Sequence, residues 1–185
     1  MQQSTYMNPE LGAEFAALLD EHRRLVFKVA NTYAGAADVD DLAQEIAAQL
    51  WRAFPSYDRA RRFSTWMYRI ALNVAISWLR SDAPRRRRSV PYDGAQHEPV
   101  LEDDPGDEDE GRRILRGFIE AQDPLNRAVL LLYLEERPYA EMSEILGVSE
   151  TNLTTKISRL KERLRAYAMD AKARQGLAEQ HHGTR

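Results

Sequence analysis

Between Tyr57 and Arg80 the chain interleaves arginines with aromatic rings, and Asn73 sits among them. Guanidinium groups neutralise phosphates, exposed rings stack on unstacked bases, and an amide both donates to and accepts from a base edge. The chemistry of this block is therefore the capture of single-stranded nucleic acid. Arg59, Arg61, Arg62, Arg69 and Arg80 are its candidates for phosphates; a merely solvated basic face is the plainer reading of each. Most of the rings read as core, because Trp66 and Trp78 share a face with Met67 and Val74.

About eighty residues further on, Tyr139 to Arg165 has the layout of a helix-turn-helix, a reader of duplex. Ile145, Leu146, Val148, Leu153, Ile157 and Leu160 take packing positions. That leaves Glu150, Thr151, Asn152, Thr154, Thr155, Lys156, Ser158 and Arg159 for solvent or a groove. The N-terminal residues of a recognition helix meet base edges. Thr151, Asn152, Thr154 and Thr155 are accordingly candidates for direct readout, and Lys156, Arg159, Lys161 and Arg163 for phosphate neutralisation. Ser149 caps this helix, with Glu150 in its first turn.

The formal charge of the 185-residue chain is only −3, yet it is strongly segregated. Ten arginines against Asp58 and Asp82 give residues 51–90 a balance of +8; residues 91–110 hold nine carboxylates and no Lys or Arg. The mean thus hides a basic surface and an acidic tether. The absence of cysteine excludes disulfides, thiolate chemistry and cysteine-bound zinc. No apolar run approaches the roughly 18 residues that suggest a membrane span, and no leader pattern opens the chain, so no membrane insertion and a cytoplasmic location are expected.

The elements that must position these groups are helical throughout. Leu11, Phe15, Leu18, Leu19, Leu25, Val26, Val29 and Ala30 recur at helical spacing and predict one helical region from about Leu11 to Tyr33, ended by Gly35. Asp38 or Asp40 can cap the next helix, in which Leu42, Ile46, Leu50 and Phe54 share a stripe until Pro55. Ser64 is the expected cap of a third helix, with Met67, Ile70, Ala71, Val74 and Trp78 on its apolar face and Arg69, Asn73, Ser77 and Arg80 on its polar one. Three such helices can bury a shared core. Pro84 closes this unit, and the stretch up to Gly111, too poor in apolar surface to offset its ordering entropy, reads as a mobile linker. A second unit starts near Arg112, with Ile114, Leu115 and Phe118 as a first patch. Asp123-Pro124 starts a helix by cap and first-turn proline, and Val129, Leu130, Leu132, Tyr133 and Leu134 mark that helix as buried. Gly147 permits the tight turn before the last helix, which is expected to fray after Ala171. The reading is all-α: two small helical domains at 1–83 and 112–171, a flexible acidic linker at 84–111 and a disordered tail at 172–185.

With these motifs in place, both units resemble the two conserved domains of the extracytoplasmic-function sigma factors of bacterial RNA polymerase, in the sigma-70 superfamily. Asp38-Val-Asp-Asp-Leu-Ala-Gln-Glu45 is similar to the acidic motif on that family's polymerase-binding helix. Phe63-Ser-Thr-Trp-Met-Tyr-Arg-Ile-Ala-Leu-Asn73 is similar to the helix that enters the minus-ten element, and Tyr139 to Leu164 to the minus-thirty-five reader. The resemblance spans roughly residues 11–81 and 112–168. It implies sigma region 2 and region 4 folds and a chain that binds core polymerase and directs promoter recognition, melting and initiation. It also implies that Asp38, Asp40, Asp41, Gln44 and Glu45 dock on the clamp helices of the largest subunit, with the second-largest subunit contacted as well. Tyr57, Asp58 and Arg59 would lie in the loop that pockets a flipped base, with Asn73 on its edge. An anti-sigma factor is a further partner that the resemblance suggests. The chain departs from the common pattern at Thr151, where glycine is frequent, and Thr154, where a basic residue is; these positions bear on which minus-thirty-five sequence is read.

The acidic cluster by itself reads as capping and solubility, since carboxylates are favoured at a helix N-terminus. A metal site is a poorer reading, because nothing supplies a matching ligand pattern. His22, His97, His181 and His182 are scattered, and no Ser-His-Asp arrangement, phosphate-cradling glycine loop or convincing carboxylate pair appears. No catalytic residue, no cofactor and no metal is expected, and the chain does not read as an enzyme. The rival is a conventional helix-turn-helix regulator with an N-terminal sensor or dimerisation domain. A sensor needs a closed apolar pocket, whereas this unit's polar faces carry a carboxylate cluster and an arginine stripe. A decoy that binds an inhibitor but never DNA would lack the Thr and Asn groups present here.

Overall fold

The computed structural model describes residues 9–81 and 109–182, with side chains for 9–80 and 109–174. Of the linker expected at 84–111, residues 84–108, with Pro84 and Arg85 to Arg88, lie outside the described residues. Its last two, Glu110 and Gly111, instead open the helix Glu110–Glu120, with Glu110 in the first turn where the helix dipole favours a carboxylate. The chain divides into two compact units, Met1–Gln96 and His97–Arg185. Every regular element among the described residues is helical.

The first unit holds α1 (Pro9–Glu21), α2 (Arg23–Tyr33), α3 (Val39–Ala53) and α4 (Phe63–Ser81), and α2, α3 and α4 pack on one another. On α3 the stripe of Leu42, Ile46 and Leu50, continued by Phe54 just past its end, is fully buried. The expected single helix from Leu11 to Tyr33 is two helices, broken at His22 (φ −106°, ψ 15°). No proline or glycine marks this break. His22 turns its ring back so that Nδ1 lies 3.0 Å from the Leu18 carbonyl, and the ring meets Phe63 edge-on at 5.3 Å.

Three local expectations are corrected here. Asp38 stands at the N-cap of α3, but its side chain makes no capping bond; a 3-10 turn, Ala36–Asp38, leads into the helix instead. Gly35 is in ordinary extended geometry (φ −72°, ψ 160°) and follows the last residue of α2 by two positions. Ser64 lies inside the first turn of α4, which begins at Phe63. The apolar face of α4 is also rotated. Phe63, Met67, Tyr68, Ala71, Leu72 and Ala75 are buried, whereas Ile70, Val74 and Trp78 are half-buried. Because α2 and α3 both cover α4, the enclosed arc is wider than one stripe and is centred away from Trp78.

The second unit holds α5 (Glu110–Glu120), α6 (Pro124–Leu134), α7 (Tyr139–Leu146) and α8 (Glu150–His182). α8 packs against α5, α6 and α7. As expected, Asp123 caps α6: its Oδ1 accepts from the Asn126 N–H at 3.0 Å, one residue ahead of Pro124. Ala128 to Leu132 are buried, but Leu134, expected inside, is 49% exposed at the end of the helix. There Glu136 takes a left-handed conformation (φ 55°). Its N–H donates to the Tyr133 carbonyl at 3.0 Å and the Arg137 N–H to Leu132 at 3.1 Å, which closes a Schellman-type end. On α5 Gly117 leaves room for Tyr167 of α8: a Cβ there would stand 2.9 Å from its hydroxyl. α8 runs to His182, past the Ala171 at which fraying was expected.

Gly147 ends α7 at φ 67°, ψ 28°, the backbone that the tight turn needs and that side chains with a Cβ resist. Gly147→Ala should lower the stability of the chain by about 1–2 kcal/mol, read as an earlier urea midpoint of the far-ultraviolet circular dichroism.

Candidate nucleic-acid interface

The carboxylate group forms on the outward side of α3. Asp40, Asp41 and Gln44 are exposed and Asp38 and Glu45 are half-buried, the latter flanking the Leu42 and Ile46 stripe. Glu45 is partly engaged: its Oε1 accepts from Gln49 Nε2 at 2.7 Å and lies 4.0 Å from Arg52 Nη1. The first-turn positions of Asp40 and Asp41 set negative charge where the helix dipole favours it.

Between α3 and α4 the chain makes a tight, well-bonded turn on an aromatic floor. Tyr57 stacks on Phe54 (6.0 Å, 18°) and meets Trp66 at 5.0 Å and Phe63 at 5.3 Å. Its hydroxyl donates to the Arg61 carbonyl at 2.6 Å, and desolvation of the ring raises the Tyr57 pKa above its ordinary value. The Asp58 carboxylate accepts from the Ala60 N–H at 2.9 Å, and its carbonyl from the Arg61 N–H at 3.0 Å. Asp58 also lies 3.8 Å from Arg61 Nε. Tyr57 and Asp58 lie in the loop between helices, as expected, and hold the turn in shape, while Arg59, Arg61 and Arg62 are exposed on its rim.

Arg59 has a partner that sequence reasoning missed. Its Nε donates to Glu14 Oε1 at 3.0 Å and its Nη2 to Glu14 Oε2 at 2.6 Å, with the guanidinium 5.8 Å from the Phe54 ring centre. Glu14 stands 45 residues away on α1, beside Phe15, whose ring packs on Trp51 and Phe54. In the sequence it is one more polar residue on a solvent face. The hydrogen bonds from Arg59 hold the Glu14 carboxyl below the usual carboxylate range and raise the Arg59 pKa in return.

Along α4, Arg69, Asn73, Ser77 and Arg80 are all exposed, as the helical spacing predicts. Trp66 is half-buried in the aromatic floor and Trp78 is half-buried elsewhere on the helix.

In the second unit α8 begins at Glu150, and Ser149 Oγ accepts from the Asn152 N–H at 3.3 Å, the expected cap. Ile145, Leu153, Ile157 and Leu160 are buried, and Leu146 and Val148 half-buried. Glu150, Thr151, Asn152, Thr154, Thr155, Ser158, Arg159, Lys161 and Arg163 are exposed. The Thr154 hydroxyl donates to the Glu150 carbonyl at 2.9 Å and the Thr155 hydroxyl to Thr151 at 3.1 Å. Each therefore offers a partner oxygen lone pairs and a methyl group rather than a proton. The four cations divide. Lys156 is half-buried with Nζ 3.5 Å from Asn126 Oδ1, and Lys161 Nζ lies 4.6 Å over the Tyr133 ring, so both lean on α6. Arg159 and Arg163 face solvent. Among the described residues no cluster of three or more His, Cys, Asp or Glu could hold a metal ion, and no helix is long and apolar enough to cross a membrane.

Comparison with known proteins meets this geometry at both units. Sigma-70 region 2 matches residues 18–85 and Sigma-70 region 4 matches residues 113–164. An ECF RNA polymerase sigma factor SigK of Mycobacterium sp. (strain JLS) is 30% identical over 157 residues, 82% of this chain and 79% of the relative. The chain belongs to the ECF sigma factors. The ECF sigma factor SigW of Bacillus subtilis (strain 168) is 26% identical over 84% of this chain and 89% of its own length. The sigma-E factor of Escherichia coli (strain K12) is 28% identical over 80% and 83%. The fold is that of CnrH, solved in complex with the cytosolic domain of CnrY: TM-score 0.61, 21% identity, 85% of this chain and 88% of that one. This sigma factor acts with RNA polymerase and promoter DNA in promoter recognition and transcription initiation.

The depressed Glu14 pKa sets a pH window for its pair with Arg59. The contribution is complete above the ordinary value of 4.5 and is lost as pH falls through the lower folded value. The Glu14 side-chain carboxyl carbon should titrate below 4.5 in the folded chain, and Arg59→Ala should return it toward 4.5 in a carbon-detected pH series.

Proposed function

We propose that the two units divide initiation between residues 1–83 and 112–171. In the first, Asp38, Asp40, Asp41, Gln44 and Glu45 dock on the clamp helices of the polymerase's largest subunit. The turn at Tyr57, Asp58, Arg59, Arg61 and Arg62, with Arg69, Asn73 and Arg80 of α4, takes the non-template strand of the minus-ten element. The observation that carries this is the joining of an ordered aromatic turn, rimmed by arginines, to an exposed polar stripe on the helix that follows it. Asn73 is the group on that stripe whose amide matches a base edge in both senses.

In the second unit the N-terminal turns of α8 enter the minus-thirty-five major groove. Thr151, Asn152, Thr154 and Thr155 face bases, with Ser149, Glu150 and Ser158 alongside them, and Arg159 and Arg163 meet phosphates with Lys156 and Lys161 in support. The second-largest polymerase subunit is a further contact, and an anti-sigma factor a regulatory partner, as CnrH is found with the cytosolic domain of CnrY. The chain works in the cytoplasm and catalyses nothing itself.

Magnitudes place the polymerase at the centre of melting. Extruding a base costs a few kcal/mol, and one stacked base returns about 1–3 kcal/mol, so capture by this unit alone scarcely breaks even. Docking on the enzyme must bias the strands apart before Asn73 can hold one.

Asn73→Ala should abolish opening while sparing minus-thirty-five binding; permanganate footprinting that shows a normal bubble in the mutant holoenzyme would reject the assignment. Arg159→Ala should weaken binding of duplex about equally across sequences and reduce the slope of log affinity against log salt by about 0.9. An unchanged slope in a salt titration would remove Arg159 from the phosphate contacts.

A further inference from the structure

The basic turn meets α1 through a side chain that the family match leaves out. Glu14 precedes the matched segment, which begins at residue 18. Its two oxygens nevertheless fill the Nε and Nη2 edge of Arg59 at 3.0 and 2.6 Å. A guanidinium offers a phosphate this same two-pronged geometry, and one edge holds one oxyanion at a time. The pair is open to exchange: the side chains of Arg59 and Glu14 are 57% and 40% exposed. The Phe54 ring lies beneath the guanidinium and α1 is fixed by Phe15 on the same floor, so Arg59 is held in place rather than left to wander.

We propose that Glu14 is a resident substitute for a DNA phosphate, and that strand capture at the minus-ten turn exchanges this carboxylate for a phosphate oxygen on the Arg59 edge. The inference rests on the reading of that turn as strand-binding. Before DNA arrives, Glu14 keeps Arg59 aimed and occupied. An incoming strand must then displace a bound carboxylate, which a single stray anion does poorly and a strand held at several further points does readily. Exposed pairs are weak, so the exchange lowers affinity modestly without blocking it. Glu14 is thereby a positioning residue that sets how selectively Arg59 is released.

The test uses holoenzyme assembled from core polymerase and the full chain. Its probe is a fluorescein-labelled single-stranded oligonucleotide that the holoenzyme itself enriches from a randomised pool, followed by anisotropy at fixed salt. Glu14→Gln should tighten binding by about two- to fivefold, and in an Arg59→Ala background it should change binding little. Glu14→Ala should give the same sign, which covers the case in which the glutamine amide still touches the guanidinium. Weaker or unchanged binding with both Glu14→Gln and Glu14→Ala would overturn the exchange. So would an equal gain with Arg59 absent, which is what a general loss of negative charge produces. If Arg59→Ala weakens binding but the cycle shows no coupling, the exchange alone fails. If Arg59→Ala leaves binding unchanged, the placement of Arg59 on the strand fails and the exchange with it. Circular dichroism of each variant verifies that α1 and α4 remain folded.

Discussion

Phe54 is the fixed point of the first unit. Its ring is fully buried, and Phe15, Tyr57, Phe63 and Trp66 all lie within 6.3 Å of it, centre to centre. These rings come from α1, from the end of α3, from the turn and from the start of α4, so one apolar contact set joins every element that borders the basic turn. Ring pairs at these distances favour edge-on or offset-stacked arrangements over a direct face-to-face sandwich, and all but one of those made by Phe54 are tilted or edge-on. The exception is the stack with Tyr57, and Tyr57 is the residue whose hydroxyl closes the turn onto Arg61. The turn therefore inherits its shape from the core beneath it rather than from the charges on its rim.

The second unit meets the same need by different means. Its last helix, α8, is seated by Leu153, Ile157 and Leu160 on the face toward the core and braced on α6 by Lys156 and Lys161. Long cationic side chains can cover apolar or aromatic surface with their stems while the charge stays near water. The two lysines thus tie α8 to α6 and keep positive potential close to the exposed residues of its first turns. α6 in turn starts where Asp123 and Pro124 place it, so this cap helps to fix the helix on which α8 is braced.

Much of this architecture could be read from residue types. The stripe of Leu42, Ile46, Leu50 and Phe54, the Asp123-Pro124 start, the Gly147 turn, the Ser149 cap and the exposed Arg69 to Arg80 face all rest on local rules of period, capping or backbone freedom, and local rules are written in consecutive residues. What escaped depends on tertiary partners. The break at His22 has no breaker residue and follows from its bond to Leu18 and its packing on Phe63. The buried arc of α4 is set by two covering helices, and Leu134 lies at a helix end where the core has run out. Glu14 and Arg59, 45 positions apart, carry no pattern that links them. The Lys156 and Lys161 contacts with α6 are likewise invisible until the helices are placed.

The exposed face of α4 has a length, and length limits how much a strand laid along it could touch. From Arg69 to Arg80 a helix rises about 16 Å at 1.5 Å per residue. Phosphates along one strand of a duplex are about 3.4 Å apart, so on the proposed strand-binding reading this edge would be a ruler only about five letters long. On that reading any longer word would be spelled by residues elsewhere in the chain, and an extra turn of helix between Arg69 and Arg80 would lengthen the ruler but throw its outer marks out of register.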